Sequence, residues 1–317
     1  MTAIEVSKNK FISFWVHTTN RCNLHCSYCY VAKNDSSMSR DVYEDIVNEA
    51  YKLKKDSYRL NFRIAGGEPL LVFKEWKKYV SELTKVGTID IITNLSFIPR
   101  GFLKFISKYK LSLSISLDSL SFSKPYHNGK SSSKNVLRNI NKIKKYGILT
   151  TITPNSLSSL DKLAEFIAPT QNFWRIGIDY FYKNKPSSDK VISKLRQVID
   201  ILYKNNYPVM EKFRLNKCDY NGLQTNGCGK FLYSIDINGD IYPCQTLIGK
   251  TKPIGHISDF QNSVKSNCIK NICKECSLSM ICNSDCPLYN IGIRKEKVCR
   301  ILKEIAVYIY KKEVDYA

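Results

Sequence analysis

Cys22-Asn23-Leu24-His25-Cys26-Ser27-Tyr28-Cys29-Tyr30 sets three thiols within eight residues at the spacing C-x3-C-x2-C. Three thiolates can close on one metal cluster but leave a four-iron, four-sulfur cubane a ligand short, because such clusters ordinarily take four cysteines. One iron is then open to a group that is not protein. Zinc is the bland alternative. Closed structural zinc sites want four ligands, and the nearest spare donor, His25, lies inside the loop itself.

The stretch follows a strand pattern, and the alternation continues after it. Phe11 to Val16 is a short apolar strand. Ser39 is the expected N-cap of a helix carrying Val42, Ile46, Ala50 and Leu53 on one face. Leu60, Phe62 and Ile64 alternate as a second strand, which ends at Gly66-Gly67-Glu68-Pro69. Helix 73–85, strand 89–93, helix 100–109 and strand 111–117 come next. Helix 134–146 is closed by Gly147 in the left-handed position after its end. Strand 148–153, helix 160–167, strand 173–181 and helix 190–203 complete six βα units. Right-handed crossovers turn such a series into a parallel sheet with helices outside. Reactive groups of parallel α/β folds sit at the C-terminal ends of the strands, where both the cysteine loop and the Gly-Gly-Glu-Pro turn fall.

From Asn216 the character changes. Nine of the twelve cysteines lie between Cys218 and Cys299. One regular element is expected there, a hairpin of Phe231 to Ile237 and Ile241 to Cys244 turned at Asn238-Gly239. The remainder has too few apolar residues to order itself without ligand cross-links. Residues 300–317 form a closing amphipathic helix with Ile301, Ile305, Tyr308 and Ile309 inward.

Composition narrows the class. A chain of 317 residues, 43% hydrophobic, can bury a large α/β domain and a smaller one. No run of eighteen apolar residues is present, so no membrane span is expected. The polar start, Met1 to Lys10, lacks the apolar core of a signal peptide. Twelve cysteines grouped in C-x2-C runs then argue for a reducing compartment, the cytoplasm, and for metal ligation over disulfides. The net charge of +21 favours acidic partners, either an acidic peptide or a nucleic acid, but lysines spread over the whole chain fit a merely basic surface equally well.

The cysteine loop, with an aromatic residue (Tyr28) before its third cysteine, and the turn Gly66-Gly67-Glu68-Pro69 resemble the radical S-adenosylmethionine (AdoMet) enzymes. A second constellation extends the resemblance over residues 11–300: Cys228, then Gly239 and Cys244, then Cys273-x2-Cys276-x5-Cys282-x3-Cys286, then Cys299. It is similar to the seven-cysteine SPASM extension of radical AdoMet enzymes that modify peptides. The resemblance implies an α/β fold, a partial (β/α)6 barrel over residues 1–212, with a cysteine-rich iron–sulfur domain built on a β-hairpin over 213–300 and a C-terminal helix over 301–317. It implies three 4Fe-4S clusters and S-adenosyl-L-methionine. Cys22, Cys26 and Cys29 would hold the AdoMet-binding cluster. Cys228, Cys244 and Cys286, with Cys218 as fourth ligand, would hold one auxiliary cluster; Cys273, Cys276, Cys282 and Cys299 would hold the other. Cys268 is left over. Gly66, Gly67, Glu68 and Pro69 would meet the AdoMet amino group, with further contacts from Thr93, Asn94, Ser116, Asp118 and Asn155. Relatives carry an arginine after the fourth strand for the AdoMet carboxylate; this chain reads His127-Asn128-Gly129-Lys130 there, so Lys130 or Arg138 is the substitute.

The activity so implied is hydrogen-atom abstraction by a 5′-deoxyadenosyl radical, followed by oxidative crosslinking of a ribosomally made peptide. The partners implied are that peptide, with an acidic leader suiting the basic chain, a reductant such as flavodoxin or ferredoxin, and a separate leader-binding protein where the barrel or extension does not hold the leader. One subgroup, the sulfatase-maturating enzymes, places an aspartate directly after the second extension cysteine as proton acceptor. Here that residue is Gln245, and an amide is a poor base. Asp179, Tyr180, Tyr182 and Tyr242 are candidates for the substrate side, and no catalytic acid or base is assigned. The competing readings are radical oxidation or rearrangement of a small molecule and, outside enzymes, an iron–sulfur protein that binds nucleic acid or carries electrons.

Overall fold

The structure, a computed structural model, describes residues 10–121, 124–178, 186–215, 228, 229, 231–265, 276 and 296–316. The chain divides into two compact units, one of residues 1–23, 29–114 and 227–270, the other of residues 24–28, 115–226 and 271–317. Its class is α/β with parallel strands alternating with helices, that of a partial (β/α)6 barrel.

In the first unit β1 (Phe11–His17), β2 (Arg59–Ala65) and β3 (Gly87–Thr93) run parallel, Phe14 opposite Phe62 and Phe62 opposite Ile89. Alternation drives this arrangement: Leu60, Phe62 and Ile64 bury one face of β2, while Asn61 and Arg63 occupy the other. The crossover after β1 includes α1 (Arg40–Lys55). Its N-cap Ser39 accepts from the Val42 N–H, and its buried stripe is Val42, Ile46, Ala50 and Leu53, as the spacing requires. Helix α2 (Phe73–Leu83) packs Trp76 and Val80 inward, and α3 (Phe102–Lys108) adds Phe102.

The division of the chain falls inside β4 (Ser112–Ser116). In the second unit come α4 (Ser133–Ile140), β5 (Gly147–Ile152), the single turn α5 (Pro154–Leu157), α6 (Leu160–Ile167), β6 (Phe173–Ile178), α7 (Ser188–Lys204), α8 (Val209–Lys212) and β7 (Phe213–Leu215). Strands β5, β6 and β7 pair in parallel. Helix α4 is shorter than its periodicity predicts. Bonds from the Lys142 N–H to Asn139 O and from the Ile143 N–H to Ile140 O tighten the chain into three-residue turns, so Gly147 opens β5 with ordinary φ instead of capping a helix.

The hairpin appears as β8 (Leu232–Ile235) and β9 (Asp240–Tyr242), turned at Gly239 with φ +91°. Asp236 Oδ1 closes the turn by accepting the N–H groups of Asn238 and Asp240. Sequence periodicity does not reveal its neighbour: β8 pairs in parallel with β1, Ser13 opposite Leu232. The unit is completed by β10 (Gly255–His256), antiparallel to β9, and α9 (Phe260–Lys265), whose Phe260 meets Phe14 and Tyr233 edge-on at 5.1 and 5.2 Å.

Helix α10 (Glu296–Tyr316) closes the second unit against α7, burying Ile301, Leu302, Ile305, Ala306 and Ile309. Tyr308 is not inward as its position suggests; it is half-buried, and its hydroxyl donates to Asp200 at 2.8 Å. Exposed pairs Arg196–Glu304 and Arg300–Asp189 flank this seam and contribute about 0–1 kcal/mol each.

Candidate active site

Parallel strands deliver their C-terminal ends to one edge, and in the first unit that edge carries the turn after β2 and the start of the cysteine loop after β1. The Gly67 N–H donates to Thr19 O at 2.6 Å and the Glu68 N–H to Arg21 O at 2.8 Å. A Cβ on Gly67 would lie 2.2 Å from Arg21 O, and one on Gly66, whose φ is +140°, 2.6 Å from Thr19 O. The two glycines therefore let the turn lie against the backbone that leads into Cys22. Any approach of this turn to a ligand comes in addition to that packing.

Glu68 is buried, and its carboxylate braces the ends of β2 and β3. Oε1 accepts the Leu70 N–H at 3.0 Å and the Thr93 hydroxyl at 2.6 Å, and Oε2 accepts the Asn94 N–H at 2.7 Å. Thr93 in turn accepts the Leu95 N–H. Asn94 passes the brace on to the cysteine loop. Its Oδ1 accepts the Ser96 N–H at 2.9 Å, and its Nδ2 donates to Asn23 Oδ1 at 3.1 Å and to Cys22 Sγ at 4.0 Å. Asn23 donates to Ser96 Oγ at 2.8 Å. Pro69 is buried, its carbonyl accepting from the Trp76 indole.

In the second unit the middle of the cysteine loop is strapped to residues 124–131. The His25 N–H donates to Pro125 O at 2.7 Å, and Leu24 bridges Tyr126. The His25 ring is exposed and lies 5.6 Å from that of His127. The Tyr28 hydroxyl donates to Asp118 Oδ2, while Asp118 Oδ1 accepts the Thr151 N–H at 2.9 Å. Burial, then the Asp118 charge and the Cys26 thiol, hold the Tyr28 phenol well above its usual pKa, so it stays a proton donor. Asp118 thus anchors the aromatic residue of the loop to β5.

Lys124 completes this cluster, and nothing in the sequence marks it. Its side chain is only 9% exposed. Its ammonium lies 3.9 Å from Asp118 Oδ1, too far for a hydrogen bond, and 6.0 Å from the centre of the Tyr28 ring. Both oxygens of Asp118 already have donors. Among the described residues this ammonium has no acceptor within hydrogen-bond distance, and a largely buried ammonium so placed is costly unless a further anion completes it.

The remaining expected contacts are dispersed. Ser116 is half-buried at the end of β4; Asn155 is exposed on α5; Lys130 and Arg138 are both exposed, Arg138 donating to Asn135. His17, also unmarked by sequence, ends β1 with its ring buried. Nε2 lies 2.9 Å from Asn20 Oδ1, and burial lowers the ring's pKa to about 4.

Cys22, Cys26 and Cys29 are half-buried thiols outside any disulfide. Among the described residues no three His, Cys, Asp or Glu side chains are gathered around one metal ion. A cubane does not demand that, since each thiolate takes a different iron, and three soft thiols at this spacing suit such a cluster. Cys228 and Cys244 are buried thiols flanking the hairpin, Cys244 lying 3.0 Å from Thr246 Oγ1. Cys276 and Cys299, the latter on α10, are free and half-buried. Cys218, Cys268, Cys273, Cys282 and Cys286 lie outside the described residues, as do Asp179, Tyr180 and Tyr182. Tyr242 is buried in β9, and Gln245 accepts from the Cys244 thiol at 3.6 Å. No helix among the described residues is long and apolar enough to cross a membrane.

Residues 16–167 match the Radical SAM superfamily. An uncharacterized protein of Methanocaldococcus jannaschii is 28% identical over 80% of this chain and 91% of its own length. A cysteine-type anaerobic sulfatase-maturating enzyme of Clostridium novyi is 24% identical over 84% and 85%. The relatives also include a radical SAM cyclopropyl synthase, of which this chain spans 63%, and an S-adenosylmethionine-dependent nucleotide dehydratase. In fold, the chain matches anSMEcpe, solved with bound AdoMet and a Cp18Cys peptide, with a TM-score of 0.77 at 17% identity over 96% of this chain and 98% of that one.

Proposed function

We propose, from the radical SAM domain that this chain carries, that it is a peptide maturase that abstracts a hydrogen atom from a ribosomally made peptide and oxidatively crosslinks it. The observation that carries the reading beyond the domain is the pair of buried thiols, Cys228 and Cys244, on either side of the hairpin joined to β1. They stand where the seven-cysteine pattern requires auxiliary-cluster ligands, with Cys286 and Cys218 completing one set and Cys273, Cys276, Cys282 and Cys299 the other. Similarity of fold to a peptide-bound enzyme supports the same substrate class. Gln245, where the sulfatase-maturating subgroup has an aspartate, argues against sulfatase maturation.

Cys22, Cys26 and Cys29 would hold the first cluster. The chemistry that a cluster held there would supply, with AdoMet bound, is the one-electron cleavage of the C5′–S bond that gives the abstracting radical. The chain's own residues do the positioning. The turn at Gly66-Gly67-Glu68-Pro69 locks the entry to the cysteine loop, and Tyr28, fixed by Asp118, holds its exit. Lys124 takes the role expected of Lys130 or Arg138, binding the AdoMet carboxylate, because of the three it alone has a largely enclosed side chain, and among the described residues its ammonium has no acceptor within hydrogen-bond distance. Thiolates in this number call for the reducing cytoplasm, with flavodoxin or ferredoxin as electron donor.

Two measurements test the proposal. Candidate precursor peptides co-expressed with the enzyme should lose two hydrogens by mass spectrometry. Turnover of a sugar, nucleotide or cofactor precursor with every peptide untouched would transfer the assignment to small-molecule chemistry. Lys124→Met should weaken binding of S-adenosylhomocysteine about 10- to 100-fold, the worth of hydrogen bonds to a charged group. A larger loss in Lys130→Met would return the role to Lys130.

A further inference from the structure

We infer that Asn94 tunes the reduction potential of the first cluster by donating its side-chain N–H to the sulfur of Cys22. The inference rests on the reading of Cys22 as a cluster ligand and assigns Asn94 a role that the resemblance does not. Its orientation is fixed from both ends. The backbone N–H of Asn94 is held by Glu68 at 2.7 Å, and its Oδ1 by the Ser96 N–H at 2.9 Å. The amide nitrogen must therefore face Asn23 Oδ1 and Cys22 Sγ. Turning the amide over would set its oxygen against another carbonyl oxygen and a thiolate, and would lose the Ser96 bond.

Asn94 is 7% exposed, so water competes little for the contact. A donor aimed at a ligand sulfur stabilises the more negative, reduced cluster and raises its potential; hydrogen bonds to the sulfurs are among the factors that set cluster potentials. At 4.0 Å the contact with the thiol is long, and it strengthens as the thiol becomes a thiolate, since a charged acceptor draws the donor closer. Glu68 acts on the cluster at one remove, by holding the backbone of Asn94.

The test is an EPR-monitored redox titration of the anaerobically reconstituted enzyme, following the signal that changes when AdoMet is added. Asn94→Leu removes the donor, and Asn94→Asp keeps the bond from Ser96 while placing a negative oxygen beside the sulfur. The midpoint potential should fall from wild type to the Leu variant and again to the Asp variant, with iron content retained. Equal potentials in all three would overturn the inference. If either variant fails to hold its cluster, wild-type protein labelled with nitrogen-15 at asparagine side chains decides the matter. Hyperfine coupling of that nitrogen to the reduced cluster supports the contact, and no coupling sinks it. Failure of the underlying reading looks different: no AdoMet-responsive cluster would form in the wild type at all.

Discussion

Alanine at Cys22, Cys26 or Cys29 is expected to reduce 5′-deoxyadenosine formation to background. A loss of about a thousandfold or more corresponds to roughly 4 kcal/mol of transition-state stabilisation. The reason is stoichiometric. A cubane with three protein ligands and one open iron has no spare thiolate to recruit, and neither His25, exposed and turned toward His127, nor Asn94 can substitute for sulfur. Alanine is smaller than cysteine, and the three thiols are only half-buried, so the fold itself should survive. Iron analysis and AdoMet cleavage under dithionite, read together, check this. Cys268→Ala, at the one thiol assigned to no cluster, should leave both unchanged. Undiminished cleavage in any of the three variants would remove the basis of the functional assignment.

Gly67→Ala is expected to disable the same loop without touching a ligand. The added methyl would stand 2.2 Å from Arg21 O and 2.7 Å from the Arg21 carbonyl carbon, both backbone atoms that cannot swing aside. Relief requires parting the turn from residues 19–21, which breaks the bonds from the Gly67 N–H to Thr19 and from the Glu68 N–H to Arg21. Two hydrogen bonds and an overpacked contact together cost about 2–5 kcal/mol. The displaced segment leads directly into Cys22, so iron should fall by one cluster's worth while the auxiliary clusters remain. Gly101→Ala makes the comparison. Gly101 has φ +85° with open space around it, so alanine there meets only the left-handed backbone penalty, about 1–2 kcal/mol. Denaturant titration with iron stoichiometry separates the two. Equal behaviour of both variants would mean that the close approach at Gly67 is not needed to seat the loop.

What could be read from the sequence was whatever covalent order keeps together. The three thiols share one loop, the helix stripes of α1 and α6 repeat within a few residues, and the Asn-Gly hairpin closes over four positions, so local spacing reports them. The function of the two glycines was only half legible. Their need for bare backbone was plain, but the neighbour that fills the space, residues 19–21, comes from another strand end. Lys124 was illegible for a different reason. It is one of 49 basic residues, and its distinction is burial beside Tyr28 and Asp118, which no spacing encodes. Gly147 misled because a glycine after a helical pattern signals a cap, whereas the helix had already tightened and stopped at Ile140.

The parallel pairing of β1 with β8 has a bearing on biosynthesis. Ser13 finds its partner Leu232 only after more than two hundred further residues have left the ribosome. Until then one flank of the nascent first strand offers unsatisfied amides and carbonyls to any passing edge. Long-range pairings of this kind form late, so iron delivered during translation would meet a loop whose root is braced on the β2 side alone. Metal loading of the amino-terminal cysteines should thus await completion of the carboxy-terminal third.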